Sequence, residues 1–152
     1  MKKLLIIIIA LVFCITISGC GNKNIEGTLE EIMTKVYSTL KEEEKPMMLM
    51  NTKITKENIE MYLGTTDIEY EEALASESAT GSIAHSVVLI RTKDNANIEL
   101  IKEKIEDSVN PRKWICVEAE EVEVESNGNL ILLVMSNETV ADKITTQFEN
   151  LK

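Results

Sequence analysis

Apolar residues along this chain recur either with a helical period or in short β-branched runs, and the switches between the two rhythms lay out its elements. Leu29, Ile32, Met33, Val36, Tyr37 and Leu40 fall at i, i+3, i+4, i+7, i+8 and i+11, one stripe of an amphipathic helix. Thr28 and Glu31 form a capping box at its start, and the helix is expected to run to about Glu44, ahead of Pro46. A shorter helix is predicted from Lys56 to Leu63, with Thr55 as cap, Ile59, Tyr62 and Leu63 buried, and Gly64 as left-handed terminator.

From Asp67 the period changes. Ile68, Tyr70 and Leu74 mark a first strand, followed by a Ser/Gly-rich break from Ser76 to Ser82. Val87–Ile90 is a continuous apolar run, the pattern of a strand covered on both faces. Asn95 or Asn97 can cap a helix carrying Ile98, Ile101, Ile105 and Val109, closed by Asn110-Pro111. A third strand is expected over Cys116–Val124, then an Asn127-Gly128 hairpin turn and a doubly apolar fourth strand, Leu130–Met135. A last helix, capped at Ser136 or Asn137, buries Val140, Ile144, Phe148 and Leu151.

The elements read α-α-β-β-α-β-β-α, and the last six divide into two β-β-α units of similar pattern, a suggestion of duplication. The predicted fold is α+β: a four-stranded antiparallel sheet, order 1-2-4-3, with the helices of both units on one face. The two N-terminal helices or a dimer partner would cover the other face, since a bare apolar sheet face would be a large exposed patch.

Ahead of all this lies MKKLLIIIIALVFCITISGCGNKN. Two lysines, then about 14 nearly all apolar residues from Leu4 to Ile17, have the layout of a secretory signal. A helix spanning the hydrocarbon needs roughly 20 residues. The following Ile17-Ser18-Gly19-Cys20 resembles a bacterial lipobox. That resemblance implies residues 1–19 as a lipoprotein signal peptide, with Cys20 carrying a diacylglyceryl thioether and becoming the mature N-terminus. Residues 20–27 are then the lipidated cysteine and tether, and 28–152 a single domain. Two acyl chains, at about 0.8 kcal/mol per buried methylene, anchor stably where one is marginal. The expected address is the extracytoplasmic face of the cell membrane. An uncleaved anchor helix, or a plain signal with an incidental cysteine, are the alternatives.

Charge sharpens the picture. The whole chain carries −10, and losing Lys2 and Lys3 with the signal leaves −12. Such a body is repelled by an anionic membrane and lacks the basic footprint that nucleic acid requires. Cys14 leaves with the signal and Cys20 goes to lipid, so Cys116 is the one remaining thiol and no internal disulfide can form. Within Trp114-Ile115-Cys116-Val117 it is expected to be buried and inert rather than redox-active or nucleophilic.

The strand VVLIRTKD, the helix after it, the GNLILLVMSN strand and the closing helix resemble a family of small lipobox lipoproteins from clostridial-type Gram-positive bacteria. The resemblance covers residues 30–150 and implies no catalytic residues, because that domain family has no assigned function.

Candidate chemistry is sparse. His85 is the single histidine, expected at the surface or satisfied within the fold; pairing with Ser82 or Ser86 would lack a nucleophile elbow. Glu118, Glu120, Glu121, Glu123 and Glu125 form an acidic strand that can guard a sheet edge, hold Ca²⁺ or meet a basic partner. Met47, Met48 and Met50 suit packing between helix and sheet, an adaptable partner surface or a soft-metal site. Glu71, Glu72 and Glu77 are the paired-carboxylate candidates for acid–base work. There is no phosphate-cradling glycine pattern, and 4% aromatic content argues against a carbohydrate-stacking platform. The expectation is thus a non-enzymatic protein-interaction module without cofactor or metal, bound to membrane lipid through acylated Cys20 and to an envelope protein. The alternative is a small-ligand or peptide-binding lipoprotein with the SESATGS loop as its mobile rim.

Overall fold

The computed structural model describes residues 24–152; the signal segment and Cys20 lie outside the described residues. The elements are α1 (Leu29–Tyr37), a 3₁₀ turn (Glu42–Glu44), β1 (Leu49–Lys53), α2 (Ile59–Leu63), β2 (Glu72–Ser78), β3 (Ser86–Arg91), α3 (Ile98–Ser108), β4 (Glu121–Asn127), β5 (Leu130–Ser136) and α4 (Glu138–Glu149). Together they make an α+β fold around one antiparallel sheet.

The helices start where the caps place them. Thr28 and Glu31 form the reciprocal box of α1, Asn97 accepts from the Leu100 N–H, and Asn137 accepts from the Val140 N–H. Gly64 ends α2 at φ +70°. Two boundaries differ from the sequence expectation. α1 stops at Tyr37, because Ser38 Oγ donates to the Lys35 carbonyl and the next residues do not continue the helix. α2 starts only at Ile59, because Thr55 and Asn58 bond to each other across a turn.

The sheet has five strands in the order β1-β2-β3-β5-β4, not four. The extra edge strand is Leu49–Lys53, which has no β-branched run and buries neither face. β2 runs on through Ser76 to Ser78, so the expected Ser76–Ser82 break begins three residues late, at Ala79; Ser78 Oγ donates to the Met47 carbonyl instead of breaking the strand. β4 starts at Glu121 rather than Cys116, and Cys116 itself is exposed at φ +64°, not buried in a strand. The hairpin turn is Gly128-Asn129, one residue beyond the expected pair, with Gly128 at φ +61°.

β3 and β5 are the central strands, and every residue of β5 is buried. Leu74, Val87, Leu89, Leu130, Leu132 and Val134 face one side, packed on α1 and α4. Ala73, Ala75, Val88, Ile90, Ile131 and Leu133 face the other, packed on α2 and α3. Each fully buried Leu, Ile or Val contributes about 1.5–3 kcal/mol, so the two cores drive folding.

This corrects the expected layering. The helices of the two β-β-α units lie on opposite faces, and each N-terminal helix joins one of them. A two-fold axis normal to the sheet relates the β2-β3 and β5-β4 pairs, but it would carry α3 onto the face it already occupies. The units are therefore not rotational copies, and the duplication reading loses its symmetry. The side that α4 takes is set by its connection: Ser136 is followed at once by the Asn137 cap.

Candidate functional site

At one end of the sheet, a groove of about 1020 Å³ opens between α2, the segment 66–71, the loop 93–97 and the first turns of α3. Ile54, Ile59 and Ile101 make an apolar floor, while half-buried Ile68, Tyr70 and Ala96 flank it. Two exposed ion pairs, Lys104–Asp67 (2.7 Å) and Lys93–Glu69 (3.3 Å), lie along the walls. Ile68 and Tyr70, expected in a strand, are wall residues of this groove. The SESATGS loop lies at the opposite end of the sheet and is not its rim.

At that opposite end the structure assembles a set of polar groups that sequence spacing did not pair. Tyr37 Oη lies 2.6 Å from His85 Nε2, and His85 Nδ1 lies 2.9 Å from Ser136 Oγ. His85 and Ser136 are each 1% exposed. Burial lowers His85 to about 4, so the imidazole is neutral. Burial likewise pushes the Tyr37 phenol up, so it keeps its proton. The three groups hold two hydrogen bonds and no net charge, with His85 and Ser136 enclosed and Tyr37 closing them off from the cleft it lines. This is a satisfied buried histidine, and its serine is Ser136 rather than Ser82 or Ser86.

Ser86 instead approaches Lys113, with its Oγ 3.3 Å from Nζ. Lys113 also ion-pairs with Glu77 and lies over the rings of Tyr62 (5.2 Å) and Trp114 (5.3 Å). The lysine thereby pins the segment that leads from α3 into β4. Of the three candidate carboxylates, Glu77 is taken by Lys113 and Glu72 by Arg91 (2.8 Å) at the other end of β2, while Glu71 lines the groove. The structure does not bring them together as an acid–base pair.

The two edges of the sheet differ. β4 carries Glu121, Glu123 and Glu125, which are half-buried; Glu125 pairs with Lys102 (3.2 Å). Glu123 is raised by burial, with Asp142 and Glu121 adding to the effect. β1 has no strand on its outer edge among the described residues, and Met47, Met48 and Met50 around it are 67, 69 and 60% exposed. The packing role expected of these methionines is therefore wrong: they face solvent. Beside β1, on the α1 side, a cleft of about 560 Å³ is lined by Met33, Tyr37, Lys45, Leu49, Asn51 and Ser76. An extended segment added to β1 would place alternate side chains in this cleft.

Among the described residues no helix is long and apolar enough to cross a membrane. No family model, no curated protein and no solved structure matches the chain.

Proposed function

We propose that this is a lipid-anchored extracytoplasmic lipoprotein, acylated at Cys20, that acts as a non-enzymatic interaction module for another envelope protein. The observation that carries the interaction reading is the open edge of β1 with three exposed methionines and a cleft beside it. Methionine is flexible and polarisable, so it contacts irregular partner surfaces at low cost. Natural sheets usually blunt an open edge with charge, as Glu121, Glu123 and Glu125 do on β4. The anchor rests on the run Ile17-Ser18-Gly19-Cys20 behind a short apolar segment, the same layout as in the clostridial-type lipoproteins the chain resembles.

A photocrosslinking residue at Met50 in intact cells is expected to give a discrete adduct with one envelope protein, absent with the crosslinker at exposed Glu30 on α1. Equal, diffuse labelling from both positions would contradict the interaction reading. The groove over Ile54, Ile59 and Ile101 favours a second reading, a binding lipoprotein for a small amphiphilic ligand, because its apolar floor meets charged walls of both signs. There, a Leu100→Asp substitution on the rim is expected to abolish ligand binding without touching the Met50 adduct. An unchanged ligand affinity would remove the groove from consideration.

A further inference from the structure

The first described residues do not trail away from the domain. Ile25 is 4% exposed, packed in the core with α1 and α4, and its N–H donates to Asn129 Oδ1 at 3.0 Å. Arg91 grips the same segment, with Nη1 donating to the Ile25 carbonyl at 2.8 Å and Nη2 to the Gly27 carbonyl at 2.6 Å. Both gripping residues lie at one end of the sheet: Asn129 in the β4–β5 turn, and Arg91 opposite Leu130 at the end of β3. Only five residue steps separate Ile25 from Cys20. Whatever their conformation, five steps reach at most about 18 Å.

We infer that the end of the sheet formed by the β4–β5 turn and the loop after Arg91 is the membrane-facing surface of the anchored protein, and its partner there is the lipid surface. This rests on the acylation of Cys20 proposed above. The far end, with the β2–β3 loop, Met47 and Met48, then points outward, about 20 Å further off along the six residues of β3.

Acidic residues lie at both ends of the sheet, with exposed Glu26, Glu69, Glu71 and Asp94 at the gripping end, so the short tether rather than charge sets the orientation. Glu120, Glu121 and Glu138 gather at the far end, where Glu120 Oε2 accepts from the Glu138 N–H at 3.4 Å and Glu121 pairs with Ser136. Two consequences follow for the surfaces described above. The open start of β1 is presented away from the bilayer, free for a partner's extended segment. The groove, whose wall Lys93–Asn97 begins two residues after Arg91, opens beside the headgroups.

The test uses the mature lipidated protein in phosphatidylcholine vesicles carrying an acceptor-labelled lipid, with Cys116→Ser to leave one labelling site. A donor dye is placed on Asp94→Cys near the gripping residues or on Ser82→Cys in the β2–β3 loop, both exposed positions. Energy transfer from position 94 is expected to be at least twofold that from position 82. Equal transfer, or more from 82, overturns the orientation. A 12-residue Gly/Ser insertion after Asn22 is expected to keep the protein on floated vesicles while erasing the difference; a difference that survives it overturns the tether as cause. Failure of the parent protein to float would instead overturn the acylation on which the orientation rests, a separate reading of the same samples.

Discussion

Gly64→Ala is expected to lower stability by about 4 kcal/mol, the largest effect of a glycine-to-alanine change among the described residues. Gly64 holds φ +70°, where an L-residue is strained by about 1–2 kcal/mol. The larger share is steric. A Cβ there would lie 1.9 Å from the Ser108 carbonyl oxygen and 2.5 Å from its carbon, both backbone atoms at the end of α3. Neither can swing aside as a side chain would, so the ends of α2 and α3 must part. That parting uncovers Tyr62 and Leu63, which α2 buries against Ile105 and the sheet. Urea denaturation should show the loss as a shift in midpoint, and melting should fall by about 12 °C. Gly81→Ala is the control: its nearest neighbour would be Ile115 Cδ1 at 3.7 Å, and a change within about 0.5 kcal/mol is expected. A Gly64→Ala protein within 1 kcal/mol of the parent would show that α2 and α3 do not meet as described.

Acid is expected to cost the fold about 3 kcal/mol through His85 alone. Burial holds the native imidazole at about 4, against 6.5 for the unfolded chain. Between those values the unfolded state binds the extra proton, so stability is full above pH 6.5 and falls as pH drops toward 4. Carboxylates titrate in parent and variant alike, so the informative quantity is the difference between the parent and His85→Gln. The variant loses hydrogen bonds to Tyr37 or Ser136 and should be less stable at pH 7, yet the gap should narrow steadily down to pH 4. A gap that stays constant from pH 7 to 4 would mean that His85 is not held neutral.

The sequence made some of this legible and concealed the rest for physical reasons. α1, α3 and α4 were readable because stripe and cap agree: Thr28 with Glu31, Asn97, and Asn137 each stand one residue before the helix. β3 and β5 were readable because strands buried on both faces must be apolar throughout. β1 was not, since an edge strand exposed over most of its length needs neither alternation nor branched residues. Ser76 and Ser78 looked like a loop, yet both are buried, and Ser78 is satisfied by the Met47 carbonyl.

Cys116 misled in the opposite direction. Its neighbours are apolar, but Trp114 packs partly on the α2–α3 side and under Lys113, leaving Ile115 75% exposed and Cys116 in a left-handed turn. The His85–Ser136 pairing required the register of β3 against β5, where Ser86 meets Met135 and the next step of the ladder brings His85 to Ser136. Fifty-one positions of separation hide that pairing from any local pattern. The helix faces were hidden for a related reason. Order along the chain says which elements exist, while the side of the sheet each takes depends on where the preceding strand releases the chain.

These features give a division of labour between the two ends of one sheet. One end grips the segment leading to Cys20 through Asn129 and Arg91. The other keeps its only imidazole neutral and sealed while the methionines beside it face solvent. On the proposed reading, an anchored module would use both: a short connection to the bilayer and an uncommitted surface away from it.

Intact-mass analysis of the protein purified from the membranes of a processing host tests the anchor at its root. The account predicts a chain beginning at residue 20 whose mass exceeds that of residues 20–152 by a diacylglyceryl group, with the adduct on the Cys20 peptide. A chain retaining Met1, or one beginning at residue 20 with a free thiol, would contradict it.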